Sequence, residues 1–182
     1  HRPPPLTVMA DEQVHPGTQH LLDSLSIPAL VIVEDWTVIG WNQLVARAFR
    51  DYGTLPREKR NLFKILLLDD RYRSDPDHFR EMAQRLTARF KWDYSRTARP
   101  EVFDAIIEEM YERSDLFREC WQESEILAHF EHTNVTDMPG VGQIIFRHTS
   151  YAIEEAPGQR LILFAPNDPE SAARLEKLAA KR

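Results

Sequence analysis

Residues 28–42 read PALVIVEDWTVIGWN, and the fold turns on this stretch. Ala29 to Val33 is continuously apolar and rich in β-branched residues, which predicts a strand buried on both faces. Glu34-Asp35 predicts a two-residue turn and Trp36 to Trp41 a second strand, so the pair forms an antiparallel hairpin. Asn42 is a good N-cap for a helix whose apolar stripe is Leu44, Val45, Ala48, Phe49 and Tyr52. A lone hairpin is not stable in water. The rest of the chain must supply more strands and a cover.

Upstream of the hairpin, Pro16 suits the first turn of a short helix with Leu21, Leu22 and Leu25 on one side, and Ser26 and Pro28 stop it. Residues 1–15, HRPPPLTVMADEQVH, have linker composition, with Pro3, Pro4 and Pro5 favouring an extended chain. Downstream, Gly53 and Pro56 break the capped helix, and PREKRN (56–61) reads as a basic, solvated loop. Leu62, Phe63, Leu66 and Leu67 then repeat at helical spacing. A long helix begins near Pro76 with Phe79, Met82, Ala83, Leu86 and Phe90 inward. Another starts at Pro100 with Val102, Phe103, Ile106, Ile107, Met110 and Tyr111. Ser114 caps a third, whose inner face is Leu116, Phe117, Cys120 and Trp121.

Beyond this the pattern turns to strands. Ile126 to His132 is expected as one strand, with a turn at Asp137-Met138-Pro139-Gly140. Gln143 to Ile153 is a second, with Ile144, Phe146 and His148 on one face. Ala156-Pro157-Gly158 turns the chain into Arg160 to Ala165, and Asp168 or Ser171 caps a last helix carrying Leu175 and Leu178. The hairpin must join these three strands in one five-stranded antiparallel sheet with the helices over a face. This is an α+β architecture, and its element order resembles that of a PAS domain, a small sheet enclosing a ligand against its helices.

Composition bounds the function. The 182 residues carry 42% apolar and 29% charged side chains, enough for one domain with a real core. Twenty-three Lys and Arg against 29 Asp and Glu leave a net charge of −6, a poor basis for binding bare nucleic acid or an anionic membrane surface. No apolar run approaches the roughly 20 residues that span a bilayer. A single cysteine, Cys120, excludes an internal disulfide framework and fits a reducing, cytoplasmic setting.

Four stretches together, PALVIVEDWTVIGWN, RNLFKILLLDDRYRSDPDHF (60–79), SDLFRECWQ (114–122) and GQRLILFAPNDPESAARL (158–175), resemble the ligand-binding domain of MmyB-like transcription regulators, from about Val14 to Leu178. The resemblance implies a PAS-like sensor at 16–182 for fatty-acid-like or other lipophilic ligands. It also implies that the head at 1–15 is the end of a linker from a helix-turn-helix DNA-binding domain, which alone would contact DNA. Trp41-Asn42, Asn61, Arg73, Ser114, Phe117, Trp121 and Gly142 fit the family pattern. Phe79 stands where the family usually has Trp, Ser124 and Met138 where it often has His, His148 where Tyr is common, and Asp70 where Pro is frequent.

Chemistry points the same way. His129-x-x-His132 on one strand would send its two side chains to opposite faces, a poor chelate, and no second cluster has zinc spacing. Gly140-Val141-Gly142 lacks the following helix of a phosphate loop. Ser150 and Ser171 lack a nucleophile-elbow context, and Cys120 reads as a packed small hydrophobe. The expectation is a non-enzymatic binding module without metal or cofactor other than a fatty-acid-like ligand. The candidate ligand-binding residues are Phe63, Leu66, Leu67, Phe117, Trp121, Phe130 and Phe146 for the apolar body, with Arg73 first for a carboxylate and Asn61, His148 and Arg147 behind it. For Arg73 a surface ion pair with Asp69, Asp70 or Asp77 is the equal alternative. The rival reading is a filled interior, with Phe103, Ile107 and Tyr111 forming a homodimer face.

Overall fold

The computed structural model describes residues 13–123, 125–126 and 130–181. Most of the 1–15 linker, Ser124 and His129 lie outside the described residues.

Helix α1 (Pro16–Ser24) leads into β1 (Ala29–Ile32) and β2 (Val38–Trp41). All four residues of β1 are buried, as a strand covered on both faces requires. Asn42 caps α2 (Gln43–Ala48) by accepting from the Val45 N–H, while its amide donates to the carbonyls of Leu22 and Ile27. One side chain thus fixes the corner where α1, β1 and α2 meet. Then come α3 (Leu62–Leu68), the long α4 (Pro76–Arg96), α5 (Pro100–Arg113) and α6 (Asp115–Glu123). Strands β3 (His132–Met138), β4 (Gly142–Ala152) and β5 (Arg160–Pro166) and helix α7 (Pro169–Ala180) close the chain. Asp168, rather than Ser171, is the α7 cap; the Ser171 hydroxyl accepts from the Ile145 N–H of β4.

The five strands form one antiparallel sheet in the order β2-β1-β5-β4-β3. The first hairpin therefore pairs with the last strand, and the sheet is the expected PAS-like α+β arrangement. Its inner face carries Leu30, Ile32, Ile162, Phe164, Ile144, Phe146 and Met138, which share one core with Phe63, Leu66 and Leu67 of α3, Met82, Ala83, Leu86 and Phe90 of α4, and Phe117 of α6. On the outer face a smaller cluster seals Ala29 and Val31 under Leu22 of α1. No helix of the described residues is long and apolar enough to cross a membrane.

Several expectations need correction. The second strand starts at Val38, because Trp36 takes a left-handed φ of 70° and Thr37 bridges to Asn61. Phe49 and Tyr52 are not in α2: Phe49 ends it, and Tyr52 opens a separate 3-10 turn. Leu21 is exposed, so only Leu22 of that helix is buried. The strand expected over 126–132 instead runs 132–138, which places Asp137 and Met138 in the sheet and the turn at 139–141. Gly142, with φ of 104°, and Gly140, with φ of 76°, supply the left-handed backbone that this turn needs. Phe103 is buried, stacked near Phe90 and Tyr94, and Tyr111 packs edge-on against Phe117. Phe103 is thus spent inside the molecule, while Ile107 and Tyr111 are half-buried.

Candidate functional site

The inner face of the sheet brings most of the sequence candidates together. Phe63 stacks on Phe90 with centroids 4.2 Å apart and meets Trp36 and Phe117 edge-on. Phe117 continues to Trp121 at 5.6 Å, and Trp36 to Phe130 at 5.5 Å. Phe146 contacts Phe49, which also meets Phe164 and Tyr72. Ring contacts run unbroken from Tyr72 through Phe49, Phe164, His148, His132, Phe130, Trp36, Phe63 and Phe117 to Trp121. Two histidines stand in the middle of this chain, with rings 4.2 Å apart.

Asn61 has its amide engaged between α3 and the first hairpin. It caps α3 by accepting from the Lys64 N–H, and its amide donates to the Asp35 carbonyl at 2.7 Å, tying α3 to the β1–β2 turn. Arg147 is exposed and pairs with Glu131 and Asn167 on the surface. Arg73 follows the short turn at 70–72, which packs on β3. It is half exposed, donates to the Leu67 carbonyl at 3.1 Å, lies over the Phe79 ring, and sits 3.7 Å from Asp70. It lines an open cleft of about 770 Å3 with Pro76, Phe79, Arg80, Ser114 and Leu116. The ion pair with Asp70 is present, and the guanidinium also borders this cleft.

The residues that sequence reasoning passed over lie on β3. Two-residue alternation puts His132, Asn134 and Thr136 on the inner face with Met138, and cross-strand pairing sets His132 opposite His148 and Asn134 opposite Phe146. All four polar side chains are buried, Thr136 and His148 completely. Among the described residues, no hydrogen-bond partner meets Nε2 of His132, either polar atom of the Asn134 amide, the Thr136 hydroxyl or either ring nitrogen of His148. The fully buried hydroxyl of Thr87 on α4 is likewise unpartnered. Buried polar groups in folded proteins are nearly always paired, and each unpaired one costs about 1–3 kcal/mol. On β3 and β4 these atoms fall in one layer, on the inner face of the sheet.

Electrostatics keeps the row neutral. Burial pushes the His132 imidazole down to about 4, against the opposing pull of its hydrogen bond to the Phe130 carbonyl. Burial, with His132 beside it, holds His148 well below the usual histidine range. A carbonyl only accepts, so Nδ1 of His132 carries the proton and Nε2 is left as an acceptor. Elsewhere, Cys120 is buried, and burial raises its thiol to about 11, the state of a packed hydrophobe rather than a nucleophile. The described residues hold no group of three or more His, Cys, Asp or Glu side chains arranged for a metal ion.

A second polar constellation is structural. Asp93 of α4 accepts from the Trp36 indole at 2.8 Å and from Arg160 of β5 at 3.0 Å, and Arg89 is 3.1 Å away. Arg160 lies over both Trp36 and Phe130. The group pins α4 to the first hairpin and to β5.

Comparison with known families matches residues 14–178 to the MmyB-like transcription regulator ligand binding domain. No curated protein matches the chain.

Proposed function

The chain belongs to the MmyB-like transcription regulator ligand-binding domains, and from that premise we propose that it senses a lipophilic, fatty-acid-like small molecule held between the inner face of the sheet and helices α3, α4 and α6. In this reading it is the cytoplasmic sensor of a bacterial helix-turn-helix regulator, and the guest modulates DNA binding by the linked domain. The observation that carries the reading is the row of buried, unpartnered polar atoms on β3 and β4, set in an otherwise apolar and aromatic layer.

The energetics suit such a guest. About a dozen buried methylenes contribute on the order of 10 kcal/mol, and association costs at least several kcal/mol. The remainder, at most about 6 kcal/mol, corresponds to a Kd of tens of micromolar, and polar contacts at the head supply any further affinity. Phe63, Phe117 and Phe146 have no measurable exposure, so a guest must part the helices from the sheet. Its affinity then differs between the closed and parted forms, which is the condition for shifting the equilibrium between them.

Thermal unfolding of the chain with C12–C16 carboxylic acids, alcohols and amides tests this. At a concentration a hundredfold above Kd, a ligand adds about 2.7 kcal/mol, a rise of roughly 5–10 °C for a chain of this size. If no lipophile raises the transition and native mass spectrometry finds none retained, the sensor reading is wrong.

A further inference from the structure

We propose that His132, Asn134, Thr136 and His148 form the head-group site for that guest, and that the head is uncharged and both donates and accepts hydrogen bonds, such as an amide or hydroxyl on a lipophilic body. The proposal rests on the ligand-sensing reading and specifies its chemistry.

The four side chains define what they can bind. His132 offers an acceptor at Nε2, because its Nδ1–H is committed to the Phe130 carbonyl at 2.7 Å. A neutral His148 offers one donor and one acceptor, Asn134 two N–H donors and a carbonyl, and Thr136 a hydroxyl. These atoms are buried and unpartnered among the described residues. A bare carboxylate accepts but does not donate, so it leaves the acceptors of His132 and Asn134 unmet. It also brings a charge, and the cations beside the row are already engaged with carboxylates. The nearest cations on the facing elements, Arg85 of α4 and Arg147 of β4, stand by Glu81 and Glu131.

Length points to the same class. Alternate residues on a strand are about 6.6 Å apart, so positions 132 to 136 span roughly 13 Å, more than one carboxyl group covers. A lipophile with two polar groups in sequence, such as a 3-hydroxy amide, can reach two neighbouring positions of the row, where a simple acid reaches one. A pocket of about 260 Å3 between α4 and β3, lined by Met82, Arg85, His132 and Thr133, reaches the outer end of the row.

The test compares 3-hydroxydodecanamide with dodecanoate by calorimetry at pH 7 and 8, on the wild-type chain and on Thr136→Val, Asn134→Leu and His148→Phe. Each variant is expected to bind the amide about ten- to hundredfold more weakly while melting at the same temperature as wild type or higher, since it removes unpaired polar atoms. Thr136→Val changes shape least and keeps the test open if a larger substitution misfolds. A lower melting temperature in Thr136→Val and Asn134→Leu would mean the row is satisfied internally and structural, and would sink the proposal. Dodecanoate binding as tightly as the amide, weakened by Arg73→Ala but not by Asn134→Leu, would place a charged head in the cleft; the proposal would fail and lipid sensing would stand. If neither compound binds, both readings fail together.

Discussion

At the scale of single residues, two asparagines each cap a helix. Asn42 was legible as a cap from its place before an apolar helical stripe, and it caps α2. Asn61 stands in the same relation to Leu62-Phe63-x-x-Leu66-Leu67 and caps α3, a role that the plain physics of an unpaired helix end also made legible. Asn61→Ala should therefore lower stability by about 1–2 kcal/mol in urea unfolding and leave affinity for any lipophile within twofold. A large loss of affinity at unchanged stability would place Asn61 in the site. The histidine pair makes a separate prediction. The unfolded chain protonates its histidines near pH 6.5, whereas burial pushes His132 down to about 4 and His148 well below its usual value. The unfolded state binds more protons in that window, so the stability owed to the neutral pair is whole above about pH 6.5 and is lost as pH falls toward 4. For His132 it amounts to about 3 kcal/mol. The urea midpoint at pH 4.5 should lie clearly below that at pH 7, with a smaller difference in His148→Phe. Equal midpoints would show that the rings are hydrated or charged in the folded protein.

At the scale of elements, α4 is the helix on which the layer depends. It packs against β3, α3 and α6, and Asp93 near its C-terminal end holds the Trp36 indole and Arg160. Removing one partner of a largely buried ion pair leaves the other charge stranded. Asp93→Ala should cost about 3 kcal/mol by chemical denaturation, and Asp93→Asn less, because its carbonyl can still accept from the indole. An Asp93→Ala chain as stable as wild type would mean that the clamp is ornamental. The sequence made α4 plain, through Pro76 and the spacing of Phe79, Met82, Ala83, Leu86 and Phe90. Strands β1 and β5 were equally plain as apolar runs, and β4 by Ile144, Phe146 and His148 alternating on one face. Strand β3 was not, for a physical reason: HTNVTDM puts polar side chains on both faces, so hydrophobic alternation cannot say which face is inside. Its strand character comes from pairing with β4, a tertiary effect. The register from a turn centred on 139–141 would have set His132 against His148. Reading the strand at 126–132 ended it at His132 and so left Asn134 and Thr136 out of view.

For the whole molecule, the ring chain from Tyr72 to Trp121 offers a way to locate the guest. The four tryptophans differ in surroundings. Trp36 is fully buried, in contact with Phe63, Phe90 and Phe130 and two ring contacts from His132. Trp41 sits under Arg60 beside Tyr52, Trp92 lies under Arg96, and Trp121 lies near Lys91 and Tyr94, all three only half-buried. A lipophile entering between sheet and helices must disturb the packing around Trp36 first, because this ring bridges α3, α4 and the segment before β3. Its indole N–H also bonds to Asp93, so parting α4 from the sheet alters both its packing and its hydrogen bond, and both move indole emission. The response of the wild-type chain to a bound lipophile should therefore vanish in Trp36→Phe and persist in Trp92→Phe. A response that survives Trp36→Phe but is lost in Trp121→Phe would instead put the guest against α6, on the side of the open cleft where Leu116 and Ser114 face Arg73, and the interior site would be the wrong one.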